Sequence, residues 1–295
     1  MTSRDTSKLI QRFVACGRTK VSLALVATGL LSLASSAFGQ YEAQAYLPNG
    51  TLFGSTNTPG DVSYTYNSGS VASAVVAFTT SPIASISYAA TAFNPSGQII
   101  MNGGGIMTYR FEVAAQPFSN VPIDFSGLFS SFQGDGGSLA GTSFTIQTVN
   151  SSVSTYSTFQ SYLYGDCGAP TCLQFTTFNN TTFTSTQSDV SHVDGTFQGS
   201  LDMLTGADGK VIGSVQLFAG ANLDVNFLSA SATAYIDPRL EIDAAFLATH
   251  PGATLTITPG VGNEIPGVTA VPEPSTYALM LAGLALVGAT LKRKR

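Results

Sequence analysis

Apolar and polar residues alternate with a period of two along most of this chain. In Ile106 to Val113, Met107, Tyr109, Phe111 and Val113 fall on one side of an extended backbone, with Thr108, Arg110 and Glu112 on the other. This is the pattern of a strand with one face buried. From Phe227 to Ile236 the inward series is Leu228, Ala230, Ala232, Ala234 and Ile236, while Ser229, Ser231 and Thr233 face water. Further strands are predicted over Val71 to Thr79, Ile83 to Ala92, Val121 to Leu128, Ser143 to Val149, Thr155 to Tyr164 and Leu173 to Phe178. Asp208-Gly209-Lys210, between Gly195 to Leu204 and Val211 to Phe218, predicts a hairpin. Gly103-Gly104-Gly105 predicts a turn, and Asn179-Asn180-Thr181-Thr182 a polar loop. One short helix is predicted near Glu241 to Thr249, stopped by Pro251-Gly252. Many short strands without alternating helices predict an all-β protein, a single antiparallel β-sandwich with jelly-roll or Greek-key connections.

Both ends break the alternation. After a basic segment holding Arg4, Lys8, Arg12, Arg18 and Lys20, residues Val21 to Leu33 form an apolar run, followed by small residues. That order predicts a cleaved signal peptide over residues 1–39, cut between Gly39 and Gln40 after Ala37-Phe38-Gly39, with Ser35-Ser36-Ala37 as the neighbouring choice. At the other end, an uncharged apolar run to Leu291 stops at Lys292, Arg293, Lys294 and Arg295. From Ser275 it is about 25 Å long as a helix, enough for a transmembrane segment, and the basic cluster would hold its end in the cytoplasm. Val271, Pro272, Glu273 and Pro274 precede it, the two prolines denying that stretch helix and ladder hydrogen bonds. The Pro- and Gly-broken stretch from Pro259 to Ala270 predicts a linker. The resulting division is an exported domain over 40–265, a linker over 266–270 and a tail over 271–295.

Val-Pro-Glu-Pro, a short apolar helix and a terminal basic run, in that order, resemble the PEP-CTERM sorting signal of Gram-negative bacteria. The resemblance covers Val271 to Arg295. It implies recognition by exosortase, a membrane cysteine protease-like enzyme, after passage through the secretion translocon. It further implies a transient anchor in the inner membrane, a mature form at the cell surface or in the extracellular matrix, and an association with exopolysaccharide and biofilm. The stretch from Ala230 through Asp237-Pro238 to Asn263 also resembles the last third of such exported proteins, a likeness that implies no activity.

Composition and charge narrow the partners. The chain has 295 residues, 44% hydrophobic and 10% charged, which excludes a disordered chain. Between Gln40 and Ala270 there are three basic residues, Arg110, Lys210 and Arg239, against fifteen acids, a net charge of −12. Such a body repels phosphate, so nucleic acid is excluded as a partner. Acidic polysaccharide would be repelled too unless a divalent cation bridged them, and weak calcium binding by Asp135, Asp166, Asp189 and Asp194 is the form this would take.

Catalytic chemistry has little to stand on. The histidines are His192 and His250. His250 sits where the predicted helix stops, and His192 lies two residues from Asp194, on one face if extended, so that the carboxylate could orient the imidazole for a distant serine. No Gly-x-Ser-x-Gly elbow accompanies them, no residue is assigned as catalytic, and no metal or other cofactor is expected. The expected function is therefore that of a non-catalytic, exported surface or matrix protein that binds exopolysaccharide. The alternatives are an envelope glycoside hydrolase with paired carboxylates, and an ice- or surface-binding protein carrying a flat threonine face.

Cys167 and Cys172 bracket Gly-Ala-Pro-Thr in an exported body, where thiols oxidise. A disulfide between them would contribute roughly 2 kcal/mol by closing so small a loop. Non-reducing peptide mapping of the mature protein should find the two linked. Quantitative labelling of both thiols without reductant would refute the pairing.

Overall fold

The computed structural model describes residues 40–47, 51–69, 72–93, 99–134, 137–149, 155–164, 172–178, 181–189, 191–225 and 229–263. The expected signal peptide, Cys167, the linker over 266–270 and the sorting tail all lie outside the described residues.

Among the described residues the alternation seen in the sequence becomes fifteen strands. They are β1 (Tyr41–Tyr46), β2 (Leu52–Thr56), β3 (Val62–Ser68), β4 (Ala72–Thr79), β5 (Ser85–Phe93), β6 (Ile99–Ala114), β7 (Asn120–Gln133) and β8 (Gly137–Val149). After them come β9 (Tyr156–Tyr164), β10 (Cys172–Phe178), β11 (Thr181–Asp189), β12 (His192–Leu204), β13 (Lys210–Val225), β14 (Ser229–Ile242) and β15 (Thr254–Ile257). The helix α1 (Ala244–Thr249) precedes β15, with the Asp243 carboxylate accepting from the Phe246 N–H at its start.

Two antiparallel sheets result. Sheet A has the order β10-β9-β8-β13-β6-β1-β2, with β15 also on β6; sheet B has the order β11-β12-β7-β14-β5-β4-β3. Their inner faces meet in one core, in which Phe159 stacks on Phe197 at 4.9 Å and Phe129 lies 4.7 Å from Phe159. The stretch β5-β6-β7 is paired strand for strand with β14-β13-β12, alternating between the sheets. That rolled double ribbon is the jelly-roll form of the sandwich, widened by β8 to β11.

Four local expectations are corrected. Asp208-Gly209-Lys210 does not make a hairpin, because β12 belongs to sheet B and β13 to sheet A. The turn, with Gly209 at φ 76°, carries the chain across the sandwich. It is buttressed by the parallel crossing from β6 to β7: the Thr205 N–H donates to Ser119 O (3.0 Å), the Phe118 N–H to Gly206 O (3.3 Å), and the Ala115 N–H to Gly209 O (2.9 Å). Thr181-Thr182 open β11 instead of belonging to a loop. The linker starts later than Pro259, because Gly262 donates to Thr80 O and the Asn263 side chain takes both the N–H and the C=O of Leu240.

Asn263 also explains a proline in a central strand. Pro238 lies on β14 two residues from Leu240, and its missing N–H falls on the side that β5 has already left, since β5 pairs no further than Ile236. On the other side, Asp237 Oδ1 accepts from the Leu128 N–H at 2.7 Å.

Gly103-Gly104-Gly105, expected as a turn, lies inside β6. A Cβ at Gly105 would stand 2.4 Å from Val76 Cγ1 and 2.8 Å from Ile86 Cδ1, both on sheet B; one at Gly104 would stand 2.8 Å from Ala219 O. The bare backbone lets the sheets close there. Gly105→Ala should therefore cost about 1–3 kcal/mol by overpacking. Gly252→Ala, with nothing within 4 Å of its added Cβ, should stay within about 0.5 kcal/mol of the parent. Urea unfolding of the two variants measures the difference, and equal midpoints would show that the inter-sheet contact is not tight.

Candidate functional site

The outward face of sheet B is a solvent-open surface whose chemistry the described residues define. Alternation sends Ala230, Ala232, Ala234 and Ile236 of β14 into the core and leaves Ser229, Ser231, Thr233 and Tyr235 outside. The neighbouring strands do the same, so registered rows cross the face. One runs Thr184, Thr196, Leu128, Asp237; the next Ser130, Tyr235, Ser87, Ala77, Ser63; another Phe132, Thr233, Ala89, Val75, Thr65. Hydroxyls meet within the rows, Thr184 with Thr196 at 2.6 Å and Ser73 with Thr91 at 2.9 Å. Leu128 (53% exposed) and Phe93 (48%) stand among them in water. The middle of the face is uncharged apart from Asp237, whose second oxygen accepts from the Tyr235 hydroxyl at 2.8 Å.

Charge gathers toward the borders. Arg239 pairs with Glu241 at 2.8 Å. Asp124 is registered opposite Glu241, and its carboxyl lies above the usual range, chiefly through burial, with Ser200 opposing by hydrogen bonding and Asp243 and Glu241 adding repulsion. These carboxylates lie on an open sheet border, with Glu241 engaged by Arg239.

At the opposite border the expected imidazole arrangement is partly assembled. His192 and Asp194 share a face, and Ser130 joins them from β7: His192 Nε2 lies 3.2 Å from Asp194 Oδ1 and 3.5 Å from Ser130 Oγ. Both contacts fall on the same ring nitrogen. A proton relay needs the carboxylate on one nitrogen and the nucleophile on the other, so this trio lacks the geometry of a triad. His250 closes α1 instead, stacked on Phe246 at 4.1 Å with Nδ1 2.9 Å from Thr249 Oγ1.

Of the acids named for calcium, Asp135 and Asp166 lie outside the described residues. Asp189 and Asp194 sit in β11 and β12, so they are not loop ligands. Among the described residues no three of His, Cys, Asp or Glu are grouped to hold a metal ion. Nor do the rows form a regular threonine array, since Phe132, Ala89 and Val75 interrupt them.

Of the remaining predicted site residues, Gln40 is the first described, its carbonyl accepting from Thr258 Oγ1 at 3.3 Å. Cys172 opens β10 opposite Tyr164. Gly39, Cys167, Val271, Pro272, Glu273, Pro274, Lys292, Arg293, Lys294 and Arg295 lie outside the described residues, and among the described ones no helix is long and apolar enough to cross a membrane.

What the body leaves open, the tail decides. Residues 270–295 match the PEP-CTERM protein-sorting motif. The motif implies an exported protein processed by exosortase, with a precursor held at least transiently in the membrane. No curated protein matches the chain. A solved structure of the Gx strain of infectious bursal disease virus is 13% identical over 87% of this chain and 70% of that one, at a TM-score of 0.13, which carries no argument.

Tyr235 offers a probe of the face. Its hydroxyl is pushed up to about 12, first by burial and then by the Asp237 charge. A proton held more tightly in the folded chain than in the unfolded one contributes stability that is whole below about pH 10 and is lost as pH rises toward about 12. Urea midpoints at pH 8 and pH 11 should fall less for Tyr235→Phe than for the parent. An equal fall would place Tyr235 in water.

Proposed function

We propose that this is a non-catalytic surface or matrix protein whose sheet B face contacts neutral stretches of exopolysaccharide. The sorting motif carries the reading, because an exported, exosortase-processed protein leaves the compartment of metabolic enzymes for that of extracellular polymers. The open face supports it: rows of hydroxyls offer donors and acceptors to sugar hydroxyls, and Leu128, Phe132 and Tyr235 offer surface for the apolar faces of sugar rings. With a body charge of −12, acidic polymers are repelled unless a divalent cation bridges them to the body.

The exported protein, incubated with immobilised neutral glycan and with acidic exopolysaccharide at two salt concentrations, with and without chelator, tests this. Retention on the neutral glycan should survive chelator and fall at least tenfold in Thr233→Glu, while retention on the acidic polymer should disappear with chelator. Strong retention on the acidic polymer at low salt in chelator would overturn the charge argument, and release of new reducing ends would favour the hydrolase.

A further inference from the structure

One row on the outward face of sheet B is apolar where the rows beside it are polar. From β7 to β4 it runs Phe132, Thr233, Ala89, Val75. Thr233, Ala89 and Val75 are exposed, and half-buried Phe132 stands edge-on to His192 at 6.0 Å. Phe132, Ala89 and Val75 present only carbon, and Thr233 adds a methyl group. Two residues away along the strands lie hydroxyls on both sides, Ser130, Tyr235 and Ser87 along one flank and Ser231, Thr91 and Ser73 along the other. None of these residues carries a charge, in a body of −12. Alternate residues of a strand are about 6.7 Å apart, so the flanks stand about 13 Å from each other and leave room for one pyranose chain with a hydrogen bond at each edge.

On the reading of this face as a surface for neutral glycan, we propose that its occupant is a single extended β-1,4-linked chain lying across β7, β14, β5 and β4 along that stripe. Such a chain is amphipathic in the matching sense. Its equatorial substituents put hydroxyls on both edges and leave axial C–H groups on the ring faces. Each sugar is turned over relative to the last, so neither edge is without hydroxyls. Strands lie about 4.8 Å apart, close to the length of one sugar in this linkage, so each strand meets one ring, with carbon over the stripe and hydroxyls over the flanks. Ser73 and Thr91, 2.9 Å apart, spend one proton on each other and keep the second, with their remaining lone pairs, for a sugar. An α-1,4-linked chain of the same sugar coils away from a straight stripe after one or two strands. Adjacent strands are also rotated by about 20°, so the stripe turns by about 60° about its own length from β7 to β4. A lone chain follows that turn at its linkages, whereas a flat crystalline bundle does not.

Isothermal titration of the exported protein with soluble oligosaccharides tests the assignment. Cellohexaose should bind at least tenfold more tightly than maltohexaose, which has the same sugars in α-1,4 linkage. Cellotetraose should bind at least tenfold more tightly than cellobiose, which reaches two strands only. Val75→Glu should weaken cellohexaose binding at least tenfold. Ala248→Glu, the same change of charge on an exposed position of α1 away from the face, should alter it less than twofold. Both positions are exposed, and an unchanged far-ultraviolet spectrum verifies folding. Equal affinity for the two hexasaccharides, binding of neither, or an equal loss in Val75→Glu and Ala248→Glu would each overturn the assignment of the stripe. If immobilised neutral glycan is still retained in those cases, the broader reading of the face stands; if it is not, both fall.

Discussion

The sixteen-residue ladder between β6 and β13 is the constraint on which the rest of the fold hangs. It runs without a register shift from Ala114 opposite Lys210 to Ile99 opposite Val225. Everything in sheet A is added to one side or the other of that pair, and the chain leaves both its strands at the same end to cross into sheet B as β7 and β12. A strand this long can stay straight and well covered only if sheet B comes close beneath it, and Gly105 permits that by leaving room for Val76, Ile86 and Phe78. The crossings, with Thr205 and Gly206 tied to Ser119 and Phe118, then hold the two halves of the ribbon in step.

Sheet B inherits its open face from this arrangement. Its inner side is committed to the core, so what it offers to solvent is the other half of each alternating strand: serine, threonine and alanine, with a few large apolar groups. The one carboxylate near the middle, Asp237, is occupied by the Leu128 N–H and the Tyr235 hydroxyl, serving strand pairing at a proline. Charges that could support proton chemistry stand at the borders, where His192 spends a single nitrogen on both Asp194 and Ser130.

Period-two patterning made the fold class legible, and it located β4, β5, β9 and β10 to within about two residues, while β7 and β14 run on past the predicted ends at Leu128 and Ile236 to Gln133 and Ile242. It failed where packing rather than hydropathy places the residues. Gly103 to Gly105 look like a turn because glycine usually marks one; only the approach of Val76 and Ile86 reveals them as strand. β11 hides among hydroxyls, since Phe183 is its sole large apolar residue, and threonine reads equally as loop. The Asp208-Gly209 turn is visible locally, but whether a turn pairs its strands or separates them depends on β6 and β8, which claim β13 from far along the chain. The sorting signal was legible because its information is sequential, three elements in order. The face of sheet B was not, because its rows are assembled from seven strands.

The meeting of Thr258, Gln40 and Arg110 has a bearing on the order of folding. β1 and β15 lie end to end along one side of β6, and Thr258 bonds to Arg110 across 148 residues of chain while also reaching Gln40. For a chain threaded through a membrane from its N-terminus, the stretch of that side of β6 from Phe111 to Ala114 has no partner until β15 emerges. Contacts of such long sequence separation form slowly and leave strand edges exposed meanwhile. The body of a chain exported in that order can therefore complete its sandwich only once β15 has emerged.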